Sequence, residues 1–179
     1  MVQLRSKYFI FVLSLLGILI YTNSLSSLSN PAMDNSYSEN LNHLLAKGIE
    51  SINKKEFDIA IKYFNKAIEI NPNIADVYYN RGLSWDYKND LDKALKDYER
   101  AIELDQNNEM FYNNRGFVFF RQEKFVLAII DFNKSIEINP KSFRALNNRG
   151  LCNHRLKRYG IAISDFTKGL QANPKFLDL

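Results

Sequence analysis

Few residues of this chain stand where they could do chemistry together. His43 and His154 lie far apart and alone, so their spacing offers no metal site. Cys152 is the single cysteine, which excludes an internal disulfide, and a small core filler is its expected role rather than a reactive thiol. There is no phosphate-binding loop, no Gly-x-Ser-x-Gly, no His-Glu-x-x-His and no cysteine pair. Catalytic residues, a metal and a cofactor are therefore not expected, and neither is an enzyme. Asn133-Lys134-Ser135 reads as a glycosylation acceptor, but Ser135 falls at a helix packing position that folding would close. Three arginines are more regular. Arg81, Arg115 and Arg149 each precede a glycine, and Asp97, Asp131 and Asp165 follow them by 16 residues. They form either a basic stripe for an anionic partner or three ion pairs across a helix pair. Arginine and aspartate occur in the same stretches and are both missing from the first, where Lys47 and Tyr63 stand. That co-occurrence favours pairing, and pairing of Arg81 with Asp97 rather than of Asp97 with Arg115.

The elements that must position these groups follow one period. Gly48, Gly82, Gly116 and Gly150 are each 34 residues from the next. Ala60, Ala94, Ala128 and Ala162 keep the same interval, as do Phe64, Tyr98, Phe132 and Phe166, and the small residues Ala67, Ala101, Ser135 and Gly169. A period of this length holds two helices of about fourteen residues and two short turns. Tyr78, Gly82 and Trp85 share one helical face, and Ala94, Tyr98 and Ala101 share another. Small residues let two helices approach, and the aromatics fill the space beside them. Helices are expected at Leu41–Lys54 and Phe57–Ile70 in the first unit, and near Ala75–Lys88 and Leu91–Leu104 in the second. Asn89 suits a left-handed turn residue, and Asp90 a helix cap.

The pattern resembles the tetratricopeptide repeat (TPR) over residues 41–176. Gly, Ala, aromatic and small residues stand at the family's offsets, and Pro72, Pro140 and Pro174 close units one, three and four, with Gln106 in unit two. The aromatic after the glycine is Trp85 or Phe119 in the middle units but Ser51 and Asn153 in the terminal ones. The resemblance implies an all-α, right-handed TPR solenoid of four helix-turn-helix repeats, 41–74, 75–108, 109–142 and 143–176, with a tail at 177–179. It also implies a concave groove lined by the first helix of each repeat. On that register a peptide-binding set falls at Tyr79, Asn80, Tyr87, Asn114, Phe117, Phe120, Arg121, Arg144, Asn148 and Arg155. Asn80, Asn114 and Asn148 recur at the repeat interval as a ladder suited to a peptide backbone. The aromatics offer anchors, and the arginines favour acidic groups on the partner. The lysine and asparagine of a chaperone-tail carboxylate clamp are replaced by Leu45 and Ile49, so that ligand is disfavoured.

Charge is uneven. The chain carries a formal +4, yet residues 30–108 hold 10 basic and 14 acidic side chains, whereas residues 109–179 hold 12 basic and 6 acidic. A dipolar solenoid suits a protein or peptide partner better than nucleic acid, and its basic end suits anionic lipid. Residues 1–29 differ from the rest. Arg5 and Lys7 precede an apolar run from Tyr8 to Tyr21, followed by the serine pairs Ser24/Ser26 and Ser27/Ser29. This is the layout of a signal peptide or, uncleaved, of a membrane anchor; a transit peptide would be richer in arginine. The chain is thus expected to be exported (periplasmic, lumenal or secreted) or membrane-anchored, with Asn30–Asn40 as a linker. The expected function is a non-enzymatic scaffold binding a protein or peptide in the groove. The alternative is an assembly subunit that self-associates through an uncapped last repeat.

Overall fold

The computed structural model describes residues 31–173, with side chains from Ser38 onward. The expected signal or anchor, Pro174 and the tail lie outside the described residues. Eight helices occupy them: α1 (Pro31–Asn53), α2 (Phe57–Ile70), α3 (Ala75–Tyr87), α4 (Leu91–Leu104), α5 (Glu109–Arg121), α6 (Phe125–Ile138), α7 (Phe143–Arg155) and α8 (Tyr159–Ala172). No strand occurs among the described residues. Chain contacts separate residues 1–42 from a unit running from His43 to Leu179, to which all the packing below belongs.

One expectation is corrected. Residues 31–40, read as a linker, begin α1, which starts ten residues before the repeat register does. Pro31 occupies the first helical position, where its missing N–H costs nothing and its φ is already helical. A linker is inferred where apolar periodicity is missing, and residues 31–40 show none.

Each repeat is a helix pair, and α3·α4, α5·α6 and α7·α8 pack most extensively; each of α3, α5 and α7 also packs on the second helix of the preceding repeat. The recurrent small residues line these contacts. Ala60, Ala94 and Ala128 are fully buried, as are Phe64, Tyr98 and Phe132. The glycine has a specific reason. A Cβ on Gly48 would stand 2.4 Å from Phe64 Cε1, and one on Gly116 would stand 2.8 Å from Phe132 Cε1. It is the aromatic ring of the second helix, not its backbone, that takes the vacated space. That packing offsets the roughly 1 kcal/mol that glycine costs inside a helix.

The turns repeat as well. Lys55, Asn89, Glu123 and Lys157 all have left-handed φ between 59° and 64°. Each is followed by a backbone bond that closes the turn: Glu56 N to Ser51 O, Asp90 N to Trp85 O, Lys124 N to Phe119 O and Arg158 N to Asn153 O, at 2.8–2.9 Å. Asn89 takes the conformation expected of it, and the Asp90 side chain accepts from Lys93 N. Between repeats, the side chains of Asn71, Asp105 and Asn139 accept from the backbone two residues on, at 2.8–3.1 Å. Tyr78 and Tyr112 each donate to a carbonyl six residues back, Pro72 O and Gln106 O.

Candidate functional site

The arginines before the glycines are structural. Arg81 grips Asp97 through Nε and Nη2 at 2.8 and 2.6 Å. Arg115 grips Asp131 at 2.8 and 2.8 Å, and Arg149 grips Asp165 at 2.9 and 2.5 Å. The register is the one co-occurrence favours, within each repeat. The aspartates are 5%, 3% and 2% exposed, so each carboxylate depends on its fork of donors. Arg81 and Arg149 also donate to Asn65 and Asn133 of the preceding repeat. Asn153 donates to Asp165 at 3.5 Å, giving the last repeat an extra donor where the middle ones carry an aromatic.

The asparagine ladder is built differently from its expected form. Asn80 is not in it: its amide donates to Asp76 O on its own helix at 2.7 Å. Asn148 instead donates to Asn113 at 3.1 Å, Asn113 to Asn114 at 3.0 Å, and Asn114 to the Tyr79 hydroxyl at 2.9 Å. This polar chain crosses α7, α5 and α3. Asn113 is its unforeseen member, buried at 3% exposure; the Asn-Asn doublets at 113–114 and 147–148 are its only signal in the sequence. Tyr79 rests against Phe111 and Tyr98, with ring centroids 5.0 and 6.0 Å away. Burial pushes its hydroxyl up to about 12, against the Asn114 hydrogen bond. The hydroxyl therefore stays protonated and can donate.

Arg121 is held within the fold. The groove register assigns it to an acidic partner, but its guanidinium reaches back to the Asp86 carboxylate and to Asn89 Oδ1, clasping α5 to the end of α3. Burial raises the Asp86 carboxyl, and Arg121 opposes that rise. Tyr87 is largely exposed but stacks on Phe57 at 5.0 Å, so one of its faces is covered.

The remaining candidates gather on α5 and α7. Phe117 is 38% exposed and stacks on Phe120 at 6.1 Å, and Phe120 tilts against Phe125 at 5.7 Å. The Arg155 guanidinium lies over the Phe120 ring at 6.0 Å. Leu151, one turn before Arg155, is exposed too. Arg144 lies over Phe143 at 5.1 Å. Neither Arg144 nor Arg155 forms an ion pair among the described residues. Arg155 thus borders an apolar floor of Phe117, Phe120 and Phe125, and Arg144 lies apart over Phe143.

Other reactive types are withdrawn from the surface. Cys152 is fully buried beside Ala128 and Phe132, and burial pushes its thiol up to about 12. Ser135 is fully buried and donates to Glu109 at 3.0 Å, while Asn133 accepts from Arg149. Asn133 itself is exposed, and it is the serine of the glycosylation triplet that the fold closes.

Models described as the tetratricopeptide repeat match residues 44–74, 75–108, 110–142 and 132–164. An uncharacterized protein of Methanocaldococcus jannaschii is 47% identical over 38 residues, 21% of this chain and 44% of that protein, so the match spans less than half its length. Among solved structures, MamA superposes with a TM-score of 0.71 at 24% identity, covering 78% of this chain and 81% of that one. PilF of Pseudomonas aeruginosa gives 0.73 at 22% identity, covering 78% of this chain and 64% of that one. YrrB, described as a TPR protein with an unusual peptide-binding site, gives 0.65 at 21% identity, covering 75% and 70%. Repeat models that together run from residue 44 to residue 164, on an all-α solenoid of helix pairs, make this chain a member of the tetratricopeptide repeat family.

Proposed function

We propose that the chain is a non-enzymatic scaffold that binds an extended protein segment along α3, α5 and α7. The recognition element is an apolar or aromatic side chain flanked by carboxylates. TPR proteins are in general protein-interaction scaffolds, and YrrB is described as having a peptide-binding site. The observation that carries the reading is the contrast among arginines. Arg81, Arg115, Arg121 and Arg149 are committed to aspartates, whereas Arg144 and Arg155 have no carboxylate among the described residues. Arg155 lies over the Phe120 ring, against which exposed Phe117 stacks, and Leu151 is exposed one turn before it. An exposed apolar surface rimmed by unpaired cations matches a segment carrying the opposite charge. The polar chain ending at the Tyr79 hydroxyl supplies fixed donors for a peptide backbone.

Selection of peptides from a random library on the full chain tests this. The expected winners place Phe, Leu or Ile beside Asp or Glu. Phe117→Ala and Arg155→Ala should each weaken them on the order of tenfold. Winners without that pattern, or winners whose affinity survives both substitutions, would overturn the reading. Export or tethering through residues 1–29 belongs to the same proposal. N-terminal sequencing of natively expressed protein should begin at Ser27 or Asn30 if the segment is cleaved, and an intact Met1 in the membrane fraction would mean an anchor instead.

A further inference from the structure

The second helices carry a contrast unrelated to the groove. At the residue preceding each second helix the chain has Glu56, Asp90, Lys124 and Arg158. In the first turn, α2 and α4 carry Asp58 and Asp92, whereas α6 and α8 carry no acidic residue. Acidic groups at a helix N-terminus stabilise it through the macrodipole, and basic groups there oppose it. Repeats three and four thus forgo a local stabilisation that repeats one and two use.

The side chains beside these ends change in step. Where α4 has Asp92, Lys93 and Lys96, α6 has Val126, Leu127 and Ile130. These aliphatic groups are 63%, 45% and 57% exposed. On α8, Tyr159, Ile161 and Ile163 are more than half exposed as well. Lys124, Lys157 and Arg158 rim them, all exposed and without an ion pair among the described residues. Glu123 is the one carboxylate in the two turns, which run from Gln122 to Lys124 and from Leu156 to Arg158. Leu127 and Ile161 hold equivalent positions 34 residues apart, which lie in a row along a solenoid and join the two helix ends.

We propose that this surface, at the N-terminal ends of α6 and α8, docks on an anionic lipid bilayer. Branched aliphatic side chains with a tyrosine, edged by lysine and arginine and nearly free of carboxylates, match the boundary between acyl chains and anionic headgroups. Nucleic acid would use the cations and leave the exposed aliphatics without a partner. The proposed peptide site uses the first helices, α3, α5 and α7, whereas this surface is formed by the second helices, α6 and α8.

The test mixes the full chain with sedimenting vesicles of phosphatidylcholine alone, or of equal parts phosphatidylcholine and phosphatidylglycerol. The apolar run at residues 8–21 could partition by itself, so every comparison keeps it. One variant, Val126→Asp with Leu127→Lys and Ile130→Lys, installs the residues that α4 carries at the same places. A second, Lys124→Asp with Arg158→Asp, installs the cap of α4. Both should keep full helicity and melt no lower than the parent chain, because the fold already accommodates these residues in repeat two. The parent chain should favour the anionic vesicles by on the order of tenfold, less at high salt. Each variant should lose most of that preference, while Phe117→Ala keeps it. Equal binding to both vesicles overturns the proposal. So does anionic binding that survives both variants, since the upstream run alone would then account for it. Retention of an acidic protein instead of vesicles, abolished by Lys124→Asp with Arg158→Asp, would also overturn it in favour of a protein dock.

Discussion

Arg115 on α5 and Arg155 on α7 belong to the first helices of neighbouring repeats, yet only one has a carboxylate. Arg115 closes a two-point bond on Asp131, which is almost wholly buried. Arg155 lies over the Phe120 ring, exposed, with no carboxylate among the described residues. The same residue type holds a repeat together in one place and, under the proposed function, meets a partner in the other. The difference lies in the second helix. Asp131 recurs wherever the arginine before the glycine recurs, whereas nothing on α8 answers Arg155. Recurrence with a matched partner marks packing, and the exposed group without such a counterpart is the one the proposed function draws on.

Breaking the packed side should have the largest effect. Arg115→Ala strands a buried carboxylate and should cost about 3 kcal/mol, read from denaturant midpoints. Asp131→Ala should be strongly non-additive with it, with a coupling of about 1–3 kcal/mol, and Asp97 should show no coupling to Arg115. Simple additivity of Arg115→Ala and Asp131→Ala would dissolve the comparison.

A smaller and opposite effect is expected at Tyr98. Three repeats place phenylalanine at this position, and here a hydroxyl is buried with no hydrogen-bond partner among the described residues. Tyr98→Phe removes that orphan and should stabilise the fold by about 1 kcal/mol, seen as a raised melting temperature. A loss of stability would show that the hydroxyl has a partner after all.

Asn114 sits between the two regimes. It is half-buried and bonded to both Tyr79 and Asn113, so Asn114→Ala should cost about 1 kcal/mol in addition to weakening peptide binding. That narrows the simpler expectation that an exposed groove residue leaves melting unchanged. Phe117→Ala is the cleaner probe. Its stability effect should stay within about 0.5 kcal/mol while binding falls. A large drop in melting temperature would place Phe117 in the core.

The packing side is legible in the sequence and the open side only in part. The glycine, alanine and aromatic intervals locate every helix pair, because a repeated interface needs the same volumes each time. The absence of both Arg and Asp from the first repeat even sets the pairing register. The groove is harder, because position on a helix does not decide a rotamer. Asn80 and Asn114 are equivalent in the repeat, yet Asn80 bonds its own helix and Asn114 crosses to Tyr79. Arg121 occupies a groove position and is drawn back to Asp86 and Asn89 across the repeat boundary, a contact no periodicity encodes. The early start of α1 is hidden because residues 31–40 carry no apolar rhythm to read.

Amide chemical-shift mapping of the full chain, titrated with a library-selected peptide, tests the central claim most directly. The account predicts the largest shifts at Phe117, Asn148, Leu151 and Arg155, with the amides of Asp131 and Asp165 scarcely moved. Shifts concentrated on the outer faces of α6 and α8, or strongest at the buried aspartates, would contradict it.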